Sequence, residues 1–537
     1  MGFGESLKRR DFIKGSLLLF GLGACSRRHS NLSGQFRGGG DYQSGHLLRE
    51  KGVGAGSAER SIEIGTAILG GGISGLSAAW KLTRSGWTDF EIFELEAEAG
   101  GNSRSHQYAP CRAPWAAHYL PVPTQECKAV RELLREMKLI RPDGTLDERH
   151  LCHPLQERLW YDGTWHESLV PGNSLSEGEL EQWNDFQRVV QEFTDYRDKL
   201  GRKAFALPLA RSSPEAHLMA LDAVTFGDYA RARGWTSPYL TWILDYACRD
   251  DYGAGMDEVS AWAGLHYFCA RDDGGFPEED ALFVWPEGNA RIVDYLKSIL
   301  PRTVKTRHLI LSVQPGTPVL IDLLDLKTQQ RVRVKARNCI YALPSFQRKY
   351  HFPGEEPVGF HYAPWVTANL TLRRAPQEVL SGFEPAWDNV IYQSPSLGYV
   401  VADHQVKAWS NRGPGVWTWY RSFPGEDPVE VRKRMLTSRW EVWKEEVLSD
   451  LEVVHSDIRE VTENIDIALF GHGMITPIPG HIWGEQVEKI RHPLENVWFA
   501  HSDLSGISIF EEAQYRGVLA AQQLMTARSH SFEDSLQ

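Results

Sequence analysis

The chain has 537 residues, 58 Lys+Arg against 70 Asp+Glu, 42% hydrophobic and 24% charged residues, a composition that supports a large core and excludes intrinsic disorder. The net charge of −12, with no basic cluster beyond the first thirty residues, argues against nucleic acid, because neutralising phosphates needs a Lys/Arg excess on some face. At about 150 residues per domain the length suggests two to four lobes.

The N-terminus reads Leu7-Lys8-Arg9-Arg10-Asp11-Phe12-Ile13-Lys14, followed by an apolar run over 15–24 that is shorter than the roughly 20 residues a bilayer span needs. Paired arginines ahead of such a run resemble a twin-arginine export signal, and Leu22-Gly23-Ala24-Cys25 resembles a lipoprotein cleavage box. The resemblance implies a signal over 1–24, export by the twin-arginine route to the bacterial periplasm with the cofactor already loaded, and lipid on Cys25 as the contact with membrane. Cleavage there removes four basic and two acidic residues, which leaves the body more acidic. Residues 25–60, rich in Gly and Ser and without periodicity, are expected to form a flexible tether. Six cysteines follow Cys25, none in a CxxC or metal-ligand spacing. No metal is therefore expected, and disulfide pairing stays open.

The folded body is expected from Ser61. An apolar strand over 61–69 runs into Gly70-Gly71-Gly72-Ile73-Ser74-Gly75, and a helical pattern follows over 76–83. Each glycine of a GxGxxG turn has its own task. Gly70 permits the tight turn, Gly72 lets backbone approach a pyrophosphate, and Gly75 lets helix pack on strand. The N-terminus of the helix, with Ile73 and Ser74 in its first turn, then faces the phosphates. A second strand over 90–93 ends in Glu94, nineteen residues after Gly75, where a carboxylate accepts hydrogen bonds from the ribose hydroxyls.

Six residues further comes Gly100-Gly101-Asn102-Ser103-Arg104. The spacing from Glu94 resembles the E-x5-GG-R/N signature of the flavin-containing amine oxidase and phytoene desaturase-like superfamily, in which a second glycine turn and an arginine contact the pyrophosphate. The resemblance continues along the chain. Pro114-Trp115-Ala116-Ala117-His118-Tyr119 falls where the family loop passes the isoalloxazine, which makes His118 and Tyr119 candidate flavin-facing groups. Trp285-Pro286-Glu287-Gly288-Asn289 resembles the P-x-GG segment ahead of a helix, with Asn289 in place of the second glycine. The strand over 309–313 resembles the one whose valine, here Val313, lies on the adenine. Trp498-Phe499-Ala500-His501-Ser502-Asp503 resembles the F-A-G-[DE] turn, which puts Asp503 near the ribityl-phosphate end. Phe510-Glu511-Glu512-Ala513, after Ile509, resembles the start of the helix that points at the flavin pyrimidine, where a positive dipole end stabilises reduced flavin.

Other elements are read from pattern alone. A helix opens at the capping box Ser176-Glu177-Gly178-Glu179, with Trp183, Phe186, Val190, Phe193, Arg197 and Leu200 at helical spacing and the first four on one buried face. Short β-branched runs over 332–334, 339–342 and 366–372 suit strands of a mixed sheet. Trp417 and Trp419 alternate along a further strand, as core or as a cation–π wall.

Together these readings imply an α/β protein. A Rossmann-like FAD domain is expected from 61–120, 281–345 and 485–527, with an inserted α+β substrate domain from 121–280 and 346–484. The resemblance implies one noncovalent FAD and hydride removal from an amine or similar small molecule, with oxygen or a redox partner as electron acceptor. The lysine that many amine oxidases place near the flavin is not evident, since the matching strand carries Trp365 and Thr367. Two further readings stay open: desaturation of a lipophilic substrate, or a flavin with a structural or relay role.

Overall fold

The computed structural model describes residues 32–50, 56–272, 274–276, 281–356, 358–377, 385–406 and 413–537. Residues 1–31, which carry the paired arginines and Cys25 of the expected export signal, lie outside the described residues.

Two sheets organise the molecule. The first runs in the order His308–Gln314, Val319–Asp325, Gln330–Tyr341, Arg60–Leu69, Phe90–Phe93, and Val497–Phe499 pairs with the end of Gln330–Tyr341. Its nucleotide-binding part is parallel, with Leu69 opposite both Tyr341 and Phe93. Strands buried on both faces read as continuous apolar runs, which is why 66–69 and 339–341 are fully buried. The 332–334 and 339–342 runs belong to one twelve-residue strand, Gln330–Tyr341. Its first half alternates buried Val332, Val334 and Ala336 with less buried Arg333, Lys335 and Arg337, and polar residues at those outward positions divide the apolar signal in two.

The second sheet has eight strands in the order Ser33–Phe36, Thr462–Thr476, His361–Leu372, Gly415–Ser422, Tyr399–Val401, Asp388–Ile391, Glu157–Tyr161, Thr164–His166. Trp417 stacks on Tyr399 at 4.3 Å, and Trp419 donates its indole N–H to Asp450. Both tryptophans therefore belong to the core.

The tether expectation is corrected over 32–50. Ser33–Phe36 pairs in parallel with Asn464–Ile467, Asp41 forms an ion pair with Arg307, and the Asp41 N–H donates to Glu96. The glycines here serve close packing. A Cβ on Gly34 would lie 2.0 Å from the Ile465 carbonyl oxygen, and one on Gly39 would lie 2.3 Å from that of Leu469. The helix after Ser176 spans Glu177–Asp195 with both halves of the capping box formed. It stops short of Arg197 and Leu200, and Leu200 is 78% exposed. Phe186 is fully buried, whereas Trp183, Val190 and Phe193 pack partly buried against the core. The six described cysteines are all free thiols.

Candidate active site

The glycine turn joins the strand Arg60–Leu69 to the helix Ile73–Arg84. A Cβ on Gly75 would lie 2.0 Å from the Gly70 carbonyl oxygen, so this glycine sets how closely the helix seats on the turn. Behind it the C-terminal helix Phe510–Ala527 packs on the same helix, with Gly517 against the Ser74 carbonyl. Gly72 and Gly101 face each other: a Cβ on Gly101 would lie 3.3 Å from Gly72 Cα, and one on Gly72 would lie 3.9 Å from Gly101 Cα. Two bare Cα atoms, beside the N–H groups that open Ile73–Arg84, make a groove that a pyrophosphate fits.

Glu94 stands at the end of Phe90–Phe93 and is 9% exposed. It accepts hydrogen bonds from the Gly71 N–H at 2.7 Å and the Glu96 N–H at 2.9 Å, one on each oxygen. Burial raises its pKa against those bonds, and each oxygen keeps a lone pair for a ribose hydroxyl. Replacing Glu94 by Ala should weaken FAD binding by about 1.5–3 kcal/mol from lost charge-assisted hydrogen bonds, measured by titrating apoprotein with FAD. Unchanged affinity would show that the ribose contact is misassigned.

The other cofactor candidates have mixed surroundings. Gly100 opens the second turn, packing toward Val293. Arg104 donates to the Gly101 and Gly39 carbonyl oxygens and pairs with Glu96, so its guanidinium braces this turn against the N-terminal segment. The exposed Asn102 side chain donates to the Gly473 carbonyl. Val313 is fully buried in the core beneath the first sheet, whereas the backbone bonded to Glu94 and Glu96 is Lys305, Arg307 and His308. Asp503 accepts from the Ser345 N–H at 2.7 Å and the Tyr362 hydroxyl at 2.6 Å, with His501 3.1 Å away. Burial works against its charge, but His501 and these donors outweigh it and hold the carboxyl below its usual range. Ile509 caps the C-terminal helix without a side-chain hydrogen bond, and Phe510 opens its first turn.

The loop carrying His118 and Tyr119 is fixed from three directions. Thr367 Oγ1 donates to the Trp115 carbonyl at 2.6 Å, and Asn369 Nδ2 donates to that of Pro114 at 3.0 Å. From the other side, the Asn289 N–H donates to the Ala117 carbonyl and its Nδ2 to that of Tyr119 at 2.9 Å, so Asn289 brackets His118. Asn102 accepts from the Ala117 N–H through its backbone oxygen. The His118 ring lies 5.8 Å from Tyr420, its Nε2 is buried without a hydrogen-bond partner, and burial alone drives its pKa down to about 3. Trp365 is 8% exposed; it packs between Gly253 and Gly473, and its indole N–H also lacks a partner.

Beside this loop, around Tyr119, lies a set of side chains of which sequence reasoning named only that tyrosine. Asp250 and Asp251 occupy the last turn of the helix Pro238–Tyr252, Asp388 opens the strand Asp388–Ile391, and Tyr119, Tyr246, Tyr267 and Tyr420 surround them. These groups sit deep in the protein, yet most retain accessible surface, which marks the wall of an enclosed chamber. Tyr420 donates to Asp388 at 3.0 Å. Burial first and Glu157 second raise Asp388 to about 7, and burial raises Asp251 to about 6 although Arg271 opposes it. Burial and the neighbouring Asp251 and Asp388 raise Asp250 well above the usual range. Arg271 is committed to Glu511 at 2.5 Å in the first turn of the C-terminal helix. One signal was available in the sequence: adjacent aspartates where a helix must end oppose its dipole and call for a counter-charge.

Residues 68–137 match the NAD(P)-binding Rossmann-like domain family. The chain is similar to the oxidoreductase PigB of a Serratia species, 22% identical over 543 aligned residues covering 87% of this chain and 75% of that one. A putrescine oxidase structure, wild type bound to putrescine, superposes with a TM-score of 0.64 at 14% identity over 87% of this chain and all of that one. The fold is that of the two-domain flavin amine oxidases. A fatty acid isomerase from P. acnes that produces CLA shares it, with a TM-score of 0.61 at 15% identity over 86% of this chain and 98% of that one. The paired glycine turns, Glu94 and the free helix N-termini fit FAD by their own chemistry, since bare Cα atoms and N–H groups meet a pyrophosphate and a carboxylate meets the ribose.

Proposed function

We propose that the protein is an FAD-dependent oxidoreductase that oxidises an amine. The observation that carries the reading is the chamber, where Asp250, Asp251 and Asp388 face four tyrosines and the two nearby guanidiniums among the described residues, Arg271 and Arg249, are already paired with Glu511 and Asp245. A buried carboxyl is either protonated or paired with a counter-charge, and an ammonium group can supply that charge whereas a lipophilic chain cannot. FAD, when bound, supplies the two-electron acceptor for a hydride leaving the carbon beside nitrogen. The chain's own residues bind the amine as its cation, an ionised carboxylate of the set takes the N–H proton so that the nitrogen lone pair is free when the hydride leaves, and the braced loop presents His118 and Tyr119 to the reacting end. Anaerobic reduction of the purified holoenzyme against a panel of amines and lipids tests this. Amines should bleach the flavin; bleaching by lipids alone would overturn the reading. Electrons then pass to oxygen or a redox partner.

We also propose twin-arginine export with lipid on Cys25, supported by the motif over 7–14 and the box at 22–25. Changing Arg9→Lys together with Arg10→Lys should leave unprocessed protein in the cytoplasm, read by fractionation and immunoblot. Normal export of the double mutant would sink the signal assignment.

A further inference from the structure

Three carboxyl groups converge on one chamber from two elements, and the charges of the described residues around them do not balance them. Asp250 and Asp251 end the helix Pro238–Tyr252, whose backbone turns left-handed at Gly253 (φ 68°), so both carboxyls sit at its negative pole. Asp388 faces them from its strand, and Glu157 on the neighbouring strand adds a further negative group. Of the two nearby guanidiniums, Arg271 pairs with Glu511, and Arg249 pairs with Asp245 and donates to the Ser394 carbonyl. Among the described residues, the other groups that act on the acids include the hydroxyls of Tyr119, Tyr246, Tyr252, Tyr267 and Tyr420 and the thiols of Cys152 and Cys248, all held neutral by burial. Tyr246 is 3% exposed and interacts with Asp388 and Asp250, yet its hydroxyl has no hydrogen-bond partner among the described residues. A buried tyrosine whose hydroxyl lacks a hydrogen-bond partner, set among carboxyls that the described cations do not balance, is a site prepared for a ligand.

Like charges confined together cannot all ionise; the last protons are retained until something else carries the positive charge. We propose that this chamber admits its cation in exchange for protons, so that an entering ammonium group displaces protons from the Asp250, Asp251 and Asp388 carboxyls to solvent. The charge balances, because the ligand brings one positive charge and the carboxyl set gives up a proton. This rests on the amine reading above. It adds a regulation, in that affinity for the cation should rise as pH rises through the range in which Asp251 (about 6) and Asp388 (about 7) lose their protons.

The test is calorimetric. The FAD-loaded protein is titrated with tert-butylammonium, which has no hydrogen on the carbon beside nitrogen. In parallel, the dithionite-reduced holoenzyme is titrated anaerobically with n-butylammonium. Both are run at pH 6.5 and pH 9 in two buffers of different ionisation enthalpy. The expected result is release of about one proton per cation at pH 6.5 and a smaller release at pH 9, where Asp251 and Asp388 have already lost their protons. Asp388→Asn, checked for full FAD loading, should lower the count at pH 6.5. Binding with no buffer dependence at pH 6.5 would overturn the exchange and leave the amine reading standing. Failure of both ammonium probes to bind would overturn both.

Discussion

Gly75→Ala should give a protein that purifies without yellow colour, with FAD affinity lowered at least about 100-fold, or about 2.7 kcal/mol. The added methyl would lie 2.0 Å from the Gly70 carbonyl oxygen, so the helix Ile73–Arg84 would have to lift off the turn. It has little room to do so, because Gly517 of the C-terminal helix is pressed against the Ser74 carbonyl on its other side. Overpacking of this kind costs about 1–3 kcal/mol by itself. Any relief that opens the Gly70–Gly75 turn also moves Gly72 away from Gly101 and widens the groove. Gly178→Ala is the control, since that glycine has open space around it and no left-handed backbone, and should keep its flavin. Full FAD occupancy in Gly75→Ala, measured by the ratio of flavin to protein absorbance, would show that the pinched helix does not set the groove.

The cradle was legible in the sequence because its parts are local. Gly70, Gly72, Gly75 and Glu94 lie within one strand–helix–strand unit, where spacing along the chain dictates spacing in space. The chamber was not legible for the opposite reason. Tyr119, Asp250, Tyr267, Asp388, Tyr420 and Glu511 come from six separate elements, and no short-range pattern ties them together. The N-terminal glycines show a second limit. Composition does not separate a glycine that loosens a linker from one that lets two backbones touch, and Gly34 and Gly39 do the latter. Arg104 shows a third, because a motif gives a residue's place but not its neighbours. The segment that folds over it, with Gly39 and Asp41, meets both Arg104 and its partner Glu96.

His118→Ala should leave FAD binding intact and slow amine-driven flavin reduction by about 10- to 100-fold, the rate equivalent of losing one orienting hydrogen bond of about 1.4–3 kcal/mol. The sequence alone allows a general base at this position, whose loss costs about 10²- to 10⁴-fold. The structure shifts the balance toward orientation. Burial holds the imidazole down to about 3, so the ring is neutral across the physiological range and far from the pKa at which a base works best near pH 7. What it offers is a buried, unpartnered Nε2 on a loop whose flanking carbonyls are fixed by Asn289 and Thr367. A neutral ring in that setting can hold a substrate nitrogen or hydroxyl at a set angle. Rotational freedom lost before the reaction does not have to be lost during it. The two roles part in the pH profile. If His118 orients, the mutant's reduction rate should run parallel to wild type from pH 6 to 9, with the carboxyls of the chamber setting the rise in both. If it is a base, the substitution should remove an inflection. Anaerobic stopped-flow reduction of both proteins, normalised to bound flavin, reads this directly. Equal rates at every pH would reject any role for His118 and leave Tyr119, whose carbonyl is the other anchor of the same clamp, as the next side chain to replace.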